Sequence, residues 1–254
     1  MSGTPGFFGR ALRLFRERAL LYVSVAALPY FTVHLLLWWL LFSSPALRIV
    51  PGTSLREQMH NLSNSQLALF LFTLLLWATV PYALAGRGLC RVAALQIENR
   101  EAAFGKIAVD MALFLPSALV LCLIVGAASM LGMGVFFIPA LFIGALFTLV
   151  IPVGAIEKLG PFGSLKRGLG LAGGIYGRLL GLYFCFGLTI VGAFILQSVI
   201  LSNLPHMLAA RMTVVALVTC IPIVPLAIFN ICLTLAYCEA RLAGSPSAAP
   251  AGAI

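Results

Sequence analysis

From residue 111 to residue 156 the chain carries no Asp, Glu, Lys or Arg. About twenty apolar residues suffice for a helix to cross a bilayer, so this stretch is too long for one crossing. Four more windows are equally free of formal charge: 19–47, 58–86, 179–210 and 212–238. A soluble domain has roughly 25% charged residues to face water, and this chain has 9% against 62% hydrophobic. It cannot cover itself with a charged shell, so its apolar side chains must face lipid.

The windows read as helices. Strands of a membrane barrel alternate apolar and polar residues, whereas runs such as Leu35-Leu36-Leu37-Trp38-Trp39-Leu40-Leu41 are apolar throughout. A helix also satisfies its own backbone hydrogen bonds, which hydrocarbon cannot do. Gly132-Met133-Gly134 offers a tight reversal within the longest window. The predicted fold class is therefore all-α: a polytopic membrane protein with six spans, near 20–42, 66–86, 111–131, 135–156, 179–202 and 212–237. The first span is expected to be retained, since its apolar run exceeds a signal-peptide core and no Ala-x-Ala site follows. One membrane domain over 1–243 is expected, then a disordered tail over 244–254, rich in Ala, Ser and Pro.

With six spans, Arg10, Arg13, Arg16, Arg18, Arg87, Arg91, Arg100, Lys106, Lys158, Lys166, Arg167, Arg178 and Arg241 fall on one side. Only Arg48, Arg56 and Arg211 fall on the other. Cytoplasmic loops are enriched in Lys and Arg, so both termini are expected in the cytoplasm of a bacterial plasma (inner) membrane. The net charge of +9 reads the same way: basic residues beside apolar runs anchor helices at anionic membrane surfaces, and nucleic acid is not an expected partner.

Three stretches share a Phe-Gly start: Phe8-Gly9-Arg10, Phe104-Gly105-Lys106 and Phe162-Gly163-Ser164. Each precedes a span that opens a pair. Phe8, Leu12 and Phe15 near helical spacing, with Arg10, Arg13 and Arg16 between them, suit a short helix lying in the membrane interface. Two plans stay open: three repeats of interfacial helix plus helical hairpin, or chance matches between common residues.

The polar inventory is thin. Glu17, Glu57, Glu98, Glu101, Asp110, Glu157 and Glu239 all lie away from the expected midplane, where ion-coupled transporters place an ionisable group. His34 falls in the first span and Asn230 in the last; both suit hydrogen bonds between helices, with a substrate pathway as the sharper alternative. Gln197 and Ser198 read likewise. His60 and His206 lack metal-ligand spacing, and the six cysteines form no metal or disulfide pattern. No nucleotide loop, nucleophile elbow or zinc-protease motif occurs. No catalytic, cofactor-binding or metal residues are nominated, and no cofactor is expected. Prolines at 29, 81, 116, 139, 152, 222 and 225 predict kinks, with Pro222 and Pro225 together bending or opening the last span. Gly173, Gly177 and Gly181 at four-residue spacing offer a face that another helix could approach closely.

The stretch Ala155-Ile156-Glu157-Lys158-Leu159-Gly160-Pro161-Phe162-Gly163-Ser164-Leu165-Lys166-Arg167-Gly168-Leu169-Gly170-Leu171 resembles the membrane domain carried by some bacterial glycerophosphoryl diester phosphodiesterases, and the related YciC-like inner-membrane proteins. Glu157, Leu165, Arg167 and the Gly173-Gly174 pair match that family's pattern. Ser164 and Gly168 stand where the family often has Ala and Ser. The resemblance implies a helical membrane module and no catalytic domain.

Three functions stay in view. The first is a non-enzymatic membrane protein that binds lipid or scaffolds other membrane proteins or its own copies. There Glu157 is expected to pair with Arg87, Arg91 or Arg167, and Arg167 and Glu157 head the candidate contact residues with His34 and Asn230. The second is a transporter or export component, with a cavity between proline-kinked helices lined by His34, Asn230 or Gln197. A membrane-embedded enzyme ranks last.

Overall fold

The computed structural model describes residues 6–43, 63–135, 142, 144–202, 213, 217 and 220–243. His60, His206, Pro139 and the tail over 244–254 lie outside them. Among the described residues every regular element is helical. In chain order these are α1 (Phe7–Glu17), α2 (Ala19–Ser43), α3 (Asn64–Ile97), α4 (Phe104–Val135), α5 (Val150–Glu157), α6 (Pro161–Ala172), a 3-10 turn (Gly173–Ile175), α7 (Tyr176–Ser202) and α8 (Ile223–Ala243). Among the described residues three helical stretches are long and apolar enough to cross a membrane: Phe104–Ile124, Pro161–Ala193 and Ile223–Leu242.

Several boundaries differ from the sequence reading. The helix expected to end near Arg87 runs on to Ile97, and Arg87 lies buried within it. A charge ends a span only if it must reach water, and here it meets a partner inside the protein. The reversal expected at Gly132-Met133-Gly134 is absent, because α4 continues through it to Val135. A helical glycine costs only about 1 kcal/mol relative to Ala, which is less than leaving backbone groups unpaired in an apolar setting. The fourth expected span is broken by a turn at Thr148-Leu149, after which α5 covers only Val150–Glu157.

Prolines at 29, 81 and 116 lie inside continuous helices α2, α3 and α4. The opening expected at the paired prolines is present: Ile221 and Pro222 form a turn and α8 starts at Ile223. Pro225 then sits in the first turn of α8, where a missing N–H costs nothing.

Helix ends follow local chemistry. Asn99 at the end of α3 has φ 55°, and the N–H of Arg100 bonds the Leu95 carbonyl at 2.7 Å while that of Asn99 bonds Gln96 at 3.0 Å. That is the paired Schellman closure, with Asn tolerating the left-handed position. Lys158 closes α5 in the same region, with φ 54°.

Helix α8 is the hub, packing against α1, α2, α3, α5, α6 and α7. α3 packs against α2, α4, α5 and α8. The largest core cluster joins Tyr22 and Val25 of α2, Leu89 and Val92 of α3, Leu179 of α7 and Leu226, Ile231 and Leu233 of α8. α1 turns Phe7, Ala11, Leu14 and Phe15 onto this cluster. Of the stripe expected to face the membrane interface, Phe15 packs on the protein, whereas Phe8 is 56% exposed, as are Arg13 and Arg16 on the open face. Of the three Phe-Gly starts, those at Phe8 and Phe162 open the short helices α1 and α6, whereas Phe104 opens the long helix α4 itself. The second proposed unit therefore has no separate short helix.

Candidate functional site

The long helices alternate in direction, so the C-terminal parts of α3, α5 and α8 meet the N-terminal parts of α4 and α7, with α1 and α6 beside them. This polar end gathers the described ion pairs between helices.

Arg87 is its most buried charge, 8% exposed. Its Nε donates to Asp110 Oδ2 at 3.0 Å and its Nη2 to Oδ1 at 3.1 Å, a two-pronged pair that joins α3 to α4. Its Nη1 donates to the Gly154 carbonyl at 2.8 Å, in the last turn of α5, where helix carbonyls lack intrahelical donors and a cation is favoured. The guanidinium also lies 4.2 Å from the centroid of the Phe114 ring. Arginine suits this role because its planar fork presents several donors at fixed angles. Gly154 also lets α6 come close: a Cβ there would meet Ser164 Oγ at 2.9 Å, while Arg87 Nη1 stays 4.0 Å away.

Glu157 ends α5. Tyr237 of α8 donates its hydroxyl to Glu157 Oε1 at 2.7 Å, and Arg167 Nε of α6 lies 3.5 Å from the same oxygen. Of the three partners expected for Glu157, Arg167 is present, Arg87 is bound to Asp110, and Arg91 forms no ion pair among the described residues. Sequence reasoning missed Tyr237, which looked like one more aromatic in an apolar run.

Glu239 of α8 receives Arg10 of α1 at 2.6 Å and Arg178 of α7. The Arg178 guanidinium lies 5.1 Å from the Phe7 ring centroid. Gln96 of α3 completes the set: Tyr22 of α2 donates to its Oε1 at 2.9 Å, and its Nε2 donates to Glu17 Oε2 at 2.8 Å and to the Leu14 carbonyl at 3.2 Å. Each of these four nodes clamps two or three helices together.

Asn230 is elsewhere. It is fully buried in α8, its Nδ2 donates to the Leu226 carbonyl at 2.9 Å, and its carbonyl accepts from Thr234 Oγ1 at 2.8 Å. Cys90 of α3 places its Sγ 3.6 Å from Asn230 Oδ1, and a Cβ on Gly86 would approach that oxygen to 3.0 Å. Asn230 therefore packs α8 against α3 and lines no open path. His34 lies on α2 and Gln197 and Ser198 on α7, with their side chains outside the described set. Glu157 and Arg167 come together, and Asn230 does not join them.

The close helix contacts are not at the glycines whose spacing suggested them. Gly173, Gly177 and Gly181 face open space. A Cβ at Gly88 would instead meet Met111 Sδ at 2.4 Å and Val25 Cγ1 at 2.7 Å, and one at Gly168 would meet the Val150 backbone at 3.1 Å. The serine that the resembled family often carries at position 168 would need α5 and α6 to part.

The arrangement bolts helices together; its carboxylates Asp110, Glu157 and Glu239 are each held by cations, which fits structural use better than proton transfer. Compared with known proteins, the chain matches no family model, no curated protein and no solved structure.

Proposed function

We propose that this chain is a multi-pass module of a bacterial inner membrane, with six crossings and both termini in the cytoplasm, that scaffolds partners or binds lipid and catalyses no reaction of its own. The observation that carries the reading is the joint placement of charge and apolar surface. Helices fit to cross a membrane converge on one end where Arg87, Glu157, Glu239 and Gln96 tie them together. Cationic residues that form no ion pair among the described residues, such as Arg13, Arg16, Lys106, Lys158 and Lys166, suit the cytoplasmic face. A place among the YciC-like proteins is part of the proposal and rests on the 155–171 stretch.

Asn230 favours this reading over a transporter, because its polar groups are satisfied within the packed interior. Reporter fusions test the topology. Fusions after Arg100 and after Arg241 are expected to be active only in the cytoplasm, and one within 44–62 only outside. A fusion after Arg100 that is reachable from outside the cell overturns the arrangement.

A further inference from the structure

We propose that the α5–α6 turn and the start of α4 form a docking surface for anionic phospholipid headgroups, with Lys158, Lys166 and Lys106 on the phosphates and Phe162 and Phe104 at the acyl boundary. This deepens the membrane reading above and rests on it.

The first observation is apolar exposure beside charge. Phe162, in the first turn of α6, is 69% exposed, and Phe104, the first residue of α4, is 40% exposed. Val109 and Leu113 follow on α4, Leu113 at 76%. Large apolar groups left open at the same level as lysines match the boundary between headgroups and chains, where aromatic rings settle and long cationic side chains reach outward. The two helices are neighbours, since Leu165 of α6 packs into the cluster that holds Phe114 of α4.

The second observation is charge complementarity. Lys106, Lys158 and Lys166 are exposed and form no ion pair among the described residues. The carboxylates close to them are engaged within the protein: Asp110 by Arg87, and Glu157 by Tyr237 and Arg167. Glu101, just before α4, forms no ion pair among the described residues, so one carboxylate against three lysines leaves the surface net positive. Phe162 and Lys166 stand four residues apart on α6 and so share a face, with Lys158 just before the helix.

The Phe-Gly start at Phe8 differs. Arg10 pairs with Glu239, and Phe7, Phe15 and Leu14 pack on the bundle. The α1 surface keeps Arg13 and Arg16 without an ion pair among the described residues, with Phe8, 56% exposed, as the one large apolar side chain of α1 left open, against Phe162, Phe104, Val109 and Leu113 on α6 and α4.

The test uses the full chain, reconstituted in nanodiscs of equal phosphatidylglycerol and phosphatidylcholine, then released and weighed by native mass spectrometry. The wild type is expected to retain phosphatidylglycerol several-fold over phosphatidylcholine. K158Q/K166Q is expected to bring that ratio close to one, since each cation near an anionic surface contributes roughly a fivefold preference, with K158R/K166R restoring it. The equal charge change R13Q/R16Q is expected to leave the ratio within about twofold on the same scale. F104A/F162A is expected to lower the retention of both lipids. Variants enter the comparison when they elute monodisperse from size exclusion. Equal retention of the two lipids by the wild type overturns the proposal, as does an equal loss in R13Q/R16Q, which signals diffuse charge. Displacement of phosphatidylglycerol by inorganic phosphate also overturns it, since that marks a site for a free anion. Failure of the topology fusions is a separate result that removes the membrane reading itself.

Discussion

Helices α7 and α8 look alike as sequence, both long, apolar and without charge through the middle, yet they occupy opposite positions. The best membrane-crossing window of the α8 stretch is 72% buried within the protein, and that of the α6–α7 stretch is 6% buried. The difference lies in the few residues that are not aliphatic. α8 carries Asn230, Thr234, Tyr237 and Glu239, each bonded to its own turn or to a neighbouring helix. Along α7, Gly177, Gly181, Phe184, Leu188, Val191 and Ile195 are exposed. Hydropathy thus says that a helix suits lipid, and buried polar contacts with neighbouring helices, not polar residues as such, mark the central one: α7 also bonds Thr189 to its own turn and Arg178 to Glu239, both outside the core.

The sharpest way to break this contrast is at the buried charge. R87A leaves Asp110 without its partner, and removing one member of a buried pair costs about 3 kcal/mol. It is expected to lower the detergent melting temperature more than any other substitution proposed for the bundle. D110N, whose carboxyl is partly exposed, is expected to cost less, and R87A/D110N less than the two single changes summed.

Next come the glycines. G88A forces Met111 and Val25 apart and is expected to cost about 1–3 kcal/mol, the usual range for an overpacked core. G177A meets open space and is expected to be neutral or to stabilise by up to about 1 kcal/mol through helix propensity. SDS unfolding of the two variants measures both; equal effects would show that α3 and α7 are packed alike.

Smaller effects belong to single hydrogen bonds. Charge reversal in E157K puts two cations together with Arg167 and is expected to lower the melting temperature, while Y237F loses about 1 kcal/mol for one hydrogen bond. An unchanged melting temperature for E157K would show that Glu157 ties nothing. The smallest effect is expected for Tyr82, whose buried hydroxyl has no hydrogen-bond partner among the described residues and whose ring lies 5.9 Å from Phe186 and 6.4 Å from Phe229. Y82F keeps the ring contacts and removes an unmet donor, so its melting temperature is expected to hold or rise. Y22F, which breaks the bond to Gln96, is expected to fall by about 1 kcal/mol; a fall in Y82F as large as that would mean its hydroxyl is bonded.

Much of the site was legible only as a set of unlinked charges. The partners expected for Glu157 are Arg87, Arg91 or Arg167, and of these Arg167, nearly two turns into the helix that follows α5, is the partner. The partners Asp110 for Arg87, and Arg10 and Arg178 for Glu239, lie on helices distant in sequence, and no local spacing reveals them. Tyr237 and Gln96 gave no signal, since a tyrosine or glutamine near a helix end looks the same whether bonded or free.

The sequence alone determined that the chain is helical and apolar enough for lipid, because those properties follow from local composition and from backbone groups that must pair within their own segment. It also placed the opening at Pro222, where the missing N–H acts on the residue's own turn. The tertiary structure alone decided that Arg87 lies inside a helix instead of ending one, that α4 runs through Gly132-Met133-Gly134, and that Gly88, not Gly177, is the point of close approach. Those outcomes depend on which surfaces meet across the bundle, and a buried charge or an absent Cβ acquires its meaning only from the atom on the other side.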